Sequence, residues 1–257
     1  MNPLFLLSGI GMMLVAIAAI AYWKVRSKIL WRLFLWGAAA WIVGVSLKSI
    51  TALLTPTAIR SLSETLPKYV SEPALWIYIG LLTGIFECGA TLGFAYIKRI
   101  HTSTWEEAVG FGLGFGAVEA LIVGAGAFVL VLLVTLMPDK LPPQLVKFAT
   151  CGTNSLLVIP APIVERITAV LLHAFSCLLI VYAVQTKMWK WFWVSFFYKT
   201  AVDAIAGFLH VTYGMENITT TGVWVIEAVL LPFGLVGLWG LCAFRKRWED
   251  LIINRKQ

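Results

Sequence analysis

GFGLGFGAVEALIVGAGAFVLVLLV, residues 110–134, decides the fold. The run is long enough to cross the hydrocarbon core of a bilayer, which takes about 20 apolar residues as a helix. It carries one carboxylate, Glu119, with no basic residue nearby in sequence to neutralise it. Four glycines, at 110, 112, 114 and 116, come just before it. A charge in lipid and glycine in a helix both cost stability, so each needs a reason.

Further runs of the same kind recur along the 257 residues, of which 60% are hydrophobic and 13% charged. Soluble domains carry about 25% charged residues. Mean hydropathy is +0.87. Runs of this length mark helices, not the short alternating strands of a barrel. The sequence therefore predicts an all-α polytopic membrane protein, a single domain over 1–257, integral to the cell membrane. The net charge of +7 sits in short clusters at span ends, the pattern of topology signals, and implies no nucleic-acid partner. Cys88, Cys151, Cys177 and Cys242 are scattered and form no disulfide or metal framework in this reading.

Seven spans are expected, at Pro3–Trp23, Trp31–Leu54, Ala74–Ile97, Glu107–Met137, Ile163–Thr186, Trp189–Val211 and Gly222–Phe244. Lys24, Arg26, Lys28 and Arg32 fall in the first connection, Lys98 and Arg99 in the third, Lys187 and Lys190 in the fifth. Arg245, Lys246, Arg247, Arg255 and Lys256 follow the last span. The positive-inside rule then puts the N-terminus outside and the C-terminus in the cytoplasm. Residues 138–162 hold five prolines around a short apolar run and read as an interfacial or re-entrant segment.

Depth brings the polar residues together. Glu87 lies about 13 residues into its span, Glu119 about 12, His173 about 10 and Asp203 about 14, so all four sit near the midplane. Four ionisable groups on four helices at one depth point to a common polar cavity. Structural glue within a bundle is the competing reading. Lys199 and Asp203, four apart, are expected to neutralise each other. Glu165 is expected in the first turn of its helix, with Arg166 pointing to the interface or paired with an acid. Lys48 reads as a snorkelling residue. His210 reads as an interfacial histidine, and Glu227 as within reach of the headgroups.

GIFECGATLGFAYIKRIHTSTWEEAVGFGLGFGAVEALIVG (84–124), ERITAVLLHAFS (165–176) and KTAVDAIAG (199–207) together resemble the YhfC family of intramembrane metallopeptidases. By motif logic these are relatives of PrsW-type and CAAX-processing membrane proteases. Members carry a Glu-Glu pair followed by Gly-Arg, a Gly-x-Gly-His-Gly-Gly-x-Glu-Ala stretch, a Glu-Arg helix with a later His, and a His-Ala-x-x-Asp helix. The resemblance implies a carboxylate that activates a zinc-bound water. Glu87 and Glu119 would be catalytic, and His173 and Asp203 metal ligands. Glu165, Arg166, Lys199, His210 and Phe115 would line or support the cavity. Phe115 and Lys199 stand where the family has histidines, Cys88 follows Glu87 in place of the second Glu, and Thr91 replaces the Arg. These departures imply an altered metal site. The readings carried forward are a protease-fold protein that acts on or binds a membrane peptide or protein, a non-catalytic subunit of a membrane complex, and a small proton-coupled transporter.

Overall fold

The computed structural model describes residues 1–55, 65–150, 155–213 and 219–254, without the side chains of 148, 210–213 and 252–254. Arg60, Glu64, Cys151, the Asn217 of a glycosylation sequon, Arg255, Lys256 and the His210 side chain lie outside what is described. Helices follow one another as α1 Leu6–Ser27, α2 Trp31–Leu54, α3 Lys68–Ala95, α4 Lys98–His101, α5 Trp105–Leu136, α6 Pro143–Thr150, α7 Ala161–Thr186, α8 Lys190–Tyr213 and α9 Thr220–Asn254. No strand occurs among the described residues. Seven of these helices, all except α4 and α6, are long and apolar enough to cross a membrane, as expected.

Two boundaries differ from the expectation by more than four residues. Helix α3 starts at Lys68, six residues before the predicted span, and carries Pro73 inside it. Helix α9 runs ten residues past Phe244, carrying the basic cluster on a continuous helix. Between α5 and α7, helix α6 has eight residues, or about 12 Å, too short to cross the core. Residues after it are tied to the bundle: Ser8 Oγ donates to the Ile159 carbonyl at 3.0 Å and Trp224 Nε1 to the Leu157 carbonyl at 3.1 Å.

Helix α7 is the core. From Leu172 to Gln185 every side chain is buried, and α1, α3, α5, α8 and α9 all pack on it. A helix apolar all round has this place in a bundle. It begins at Ala161 with Pro162 in its first turn, where the missing N–H costs nothing. Glu165 is therefore the fifth helical residue, not part of the first turn as expected, and its carboxylate is held by Arg166 rather than by the helix dipole.

The glycines of α5 serve two neighbours. A Cβ on Gly114 would lie 2.6 Å from Phe34 Cα of α2, and one on Gly112 would lie 2.7 Å from Ala174 Cα of α7. Gly110 meets the Ile29 side chain just before α2, while Gly116 meets Val170 of α7. Residues two apart on a helix point to nearly opposite sides. The alternating run thus lets α2 and α7 both close onto α5, where backbone contact replaces side-chain packing.

Sharp caps end two helices. Lys28 (φ 55°) closes α1, and Lys187 (φ 58°) closes α7, both in the left-handed region. A Cβ is disfavoured there and glycine is not. Lys28→Gly should raise the apparent melting temperature in detergent by about 2–4 °C, the equivalent of roughly 1 kcal/mol. An unchanged or lower value would show that the lysine side chain, which sits beside the α5 N-terminus, outweighs its backbone strain.

Candidate functional site

Glu87 occupies a three-helix junction. Gly44 of α2 lets that helix touch α3 at Glu87 itself, since a Cβ there would be 3.0 Å from Glu87 Cα. One turn on, Lys48 places its Nζ 2.5 Å from Glu87 Oε1. On the other side, a Cβ on Gly80 would lie 3.0 Å from Ala204 Cβ, so α8 packs closely on α3. Lys199 of α8 then reaches across to place its Nζ 2.5 Å from Glu87 Oε2. Lys199 is 2% exposed and Glu87 3%. Each carboxylate oxygen thus accepts from one ammonium.

Lys199 does not pair with Asp203, as its spacing suggests; its long stem carries the charge to α3 instead. Asp203 accepts a short hydrogen bond from Thr83 Oγ1 and lies 3.9 Å from Lys48 Nζ. Thr83 is one turn before Glu87, so the two share a face.

A second cluster is built on Glu119. Its Oε2 accepts from Trp41 Nε1 of α2 at 2.9 Å and lies 2.8 Å from His173 Nε2 of α7. Its Oε1 accepts from Arg166 Nη1 at 2.6 Å. Arg166 and His173, seven apart, lie on one face of α7, and Gly116 gives that face its access to α5. Arg166 also donates to Glu165, so this buried guanidinium bridges two acids. The orphan carboxylate of the 110–134 run is thus neutralised from a helix more than 40 residues further along the chain.

Phe115 separates the two clusters. Lys199 Nζ lies 4.5 Å from its ring centroid, and the His173 ring 5.1 Å. The polar groups therefore form a chain from Asp203 through Glu87, Lys199, Phe115 and His173 to Glu119, Arg166 and Glu165. Its two ends are its open parts, with the Asp203 side chain 35% and Glu165 32% exposed. Three buried atoms have no partner here: His173 Nδ1, Arg166 Nε, and Oε2 of Glu227, which is buried in α9.

Lys48, read from sequence as a snorkelling residue, belongs to the site, as do Trp41 and Thr83, which the sequence did not single out. Lys48 lies six residues before the end of α2, where snorkelling and pairing look alike in one dimension. Trp41 and Thr83 carry no charge pattern to mark them.

A catalytic zinc needs about three protein ligands and an open position. The donors among the described residues do not fit one. Phe115 has no donor atom, Lys199 brings a positive charge to the second histidine position, and the oxygens of Glu87 are both taken by ammonium groups. No group of three His, Cys, Asp or Glu suited to a metal ion occurs among the described residues.

No curated protein and no solved structure matches this chain. The profile of the YhfC intramembrane metalloprotease family matches residues 11–230, well beyond the stretch that carries the motifs. With its seven spanning helices, the chain is a multi-pass integral membrane protein and belongs to the YhfC intramembrane metalloprotease family.

Proposed function

We propose that this chain keeps the membrane-protease fold but has exchanged the metal for its own cations, and that it binds a membrane peptide or protein without hydrolysing it. One observation carries the reading: Lys199 Nζ lies 2.5 Å from Glu87 and 4.5 Å from the centre of the Phe115 ring. The carboxylate that would activate water is held between two ammonium groups, and an ammonium occupies one ligand position. A lysine there sets a positive charge against the carboxylate in a dry interior, as a metal would. The exposed carboxylates at the ends of the chain, Asp203 and Glu165, offer acceptors to the polar backbone or basic side chain of a ligand. The middle stays closed. A bound peptide would supply donors to Asp203, which among the described residues has Thr83 and a distant Lys48.

Zinc content of detergent-purified protein tests the proposal. Substoichiometric zinc is expected, together with no cleavage of single-span peptides. The double replacement Phe115→His and Lys199→His should bring zinc to about one per chain, because it restores two imidazoles beside Glu87 and Glu119. Stoichiometric zinc in the unmodified protein would overturn the reading.

A further inference from the structure

A groove lies on the other side of α7 from Glu87. Val15, Ala18, Ala19, Tyr22 and Trp23 of α1 form one wall, and Leu238, Leu241 and Cys242 of α9 the other. Val170 and Leu171 of α7 form part of the floor, with Trp105 at one end, and the volume is about 430 Å³. The lining is almost wholly apolar.

Both walls end in a cation. Arg26 lies one turn beyond Tyr22 on α1, and Arg245 one turn beyond Leu241 on α9. Arg245 stacks over Trp105, its guanidinium carbon 5.3 Å from the ring centroid. Its partner Glu249 meets it through Nε at 3.3 Å, in a pair exposed by more than half on both sides. Such a pair is worth little. Arg26 is exposed and borders a polar cleft that also holds Glu106 and Glu107, the latter already bonded to Arg99. Tyr22, Trp23 and Trp105 mark this end as the interface, where amphipathic rings sit at headgroup level. Apolar slot, aromatic rings and a cation on each wall succeed each other in the order of a phospholipid's own chain, glycerol and phosphate.

We propose that this groove is a binding site for one anionic glycerophospholipid, an acyl chain between α1 and α9 and the phosphate on Arg26 and Arg245. The site is independent of the Glu87 and Glu119 clusters.

Native mass spectrometry of the full chain, offered equal amounts of phosphatidylglycerol and phosphatidylcholine, tests it. One phosphatidylglycerol per chain should be retained, with a preference of about tenfold or more from the two cations. Arg26→Gln with Arg245→Gln should abolish the preference but not lipid binding, and Ala19→Trp, which fills the groove, should remove the bound lipid. Cys242 gives a second readout without a groove variant. It is the exposed thiol of the groove, while Cys88 and Cys177 are buried. In a Cys151→Ser background, phosphatidylglycerol should slow maleimide labelling of Cys242 and phosphatidylcholine should not. Equal retention of the two lipids, unchanged retention in Ala19→Trp, unprotected Cys242, or a peptide found in place of lipid would each overturn the proposal.

Discussion

Glu87→Leu should destabilise the protein by about 3–5 kcal/mol, the range for breaking a buried ion pair from one side. The change leaves two ammonium groups without their acid. Lys48 has a second acid in Asp203 at 3.9 Å, but Lys199, 2% exposed, has none at bonding distance among the described residues. Removing Lys199 as well should recover part of the loss, because Glu87→Leu with Lys199→Met replaces a buried pair by apolar groups of similar size. The measurement is denaturation in detergent of both single variants and the double. A double variant more stable than Glu87→Leu alone is expected. Additive losses would mean that the 2.5 Å contact carries no coupling. Asp203→Leu combined with Lys199→Met should show weaker coupling than the Glu87 pair, since Asp203 is bonded to Thr83 and not to Lys199.

Gly114→Leu should cost more than about 4 kcal/mol, the range reserved for overpacking and buried-charge defects. Its first added carbon would already fall 2.6 Å from Phe34 Cα, and the obstacle is backbone. Helices α2 and α5 must then separate, which draws Trp41 away from Glu119. Gly126→Leu on the same helix is the control. A Cβ there meets nothing within 4 Å, so its effect should stay within about 0.5 kcal/mol. Monodisperse yield on size exclusion after extraction, and melting temperature, separate the two. Equal behaviour of the variants would show that close approach of α2 does not need glycine at 114.

The spans and the depth of the charges were legible in the sequence because both depend on one helix at a time. Hydropathy marks a span, and a rise per residue converts position into depth. Partner choice depends on which helices adjoin. Lys199 and Asp203 look paired because one turn separates them, yet a lysine stem is long enough to prefer an acid on α3. Lys48 looked like a span-end residue because nothing in sequence says that Gly44 brings α2 onto Glu87. The glycines before Glu119 called for a reason, and close approach of a helix or a substrate backbone was open to them alike. That they serve two neighbours on opposite sides follows only once α5 is seen between α2 and α7. Arg166 was expected to point to the interface or to pair with an acid, and it pairs with two.

The order of the charges along the chain has a consequence for biogenesis. Helices leave the ribosome one after another, and each buried charge must wait in the membrane for its counter-ion. Lys48 enters on α2 and is met by Glu87 on the next spanning helix. Glu119 then enters with Trp41 already present to donate to it, and Arg166 follows on the next spanning helix beside its own acid, Glu165. Lys199 and Asp203 arrive together on α8. Counted over the network in this order, the imbalance never exceeds one charge, so no assembly intermediate strands two like charges in lipid. Each charge thus has a partner on its own helix, on the next spanning helix or on one already inserted.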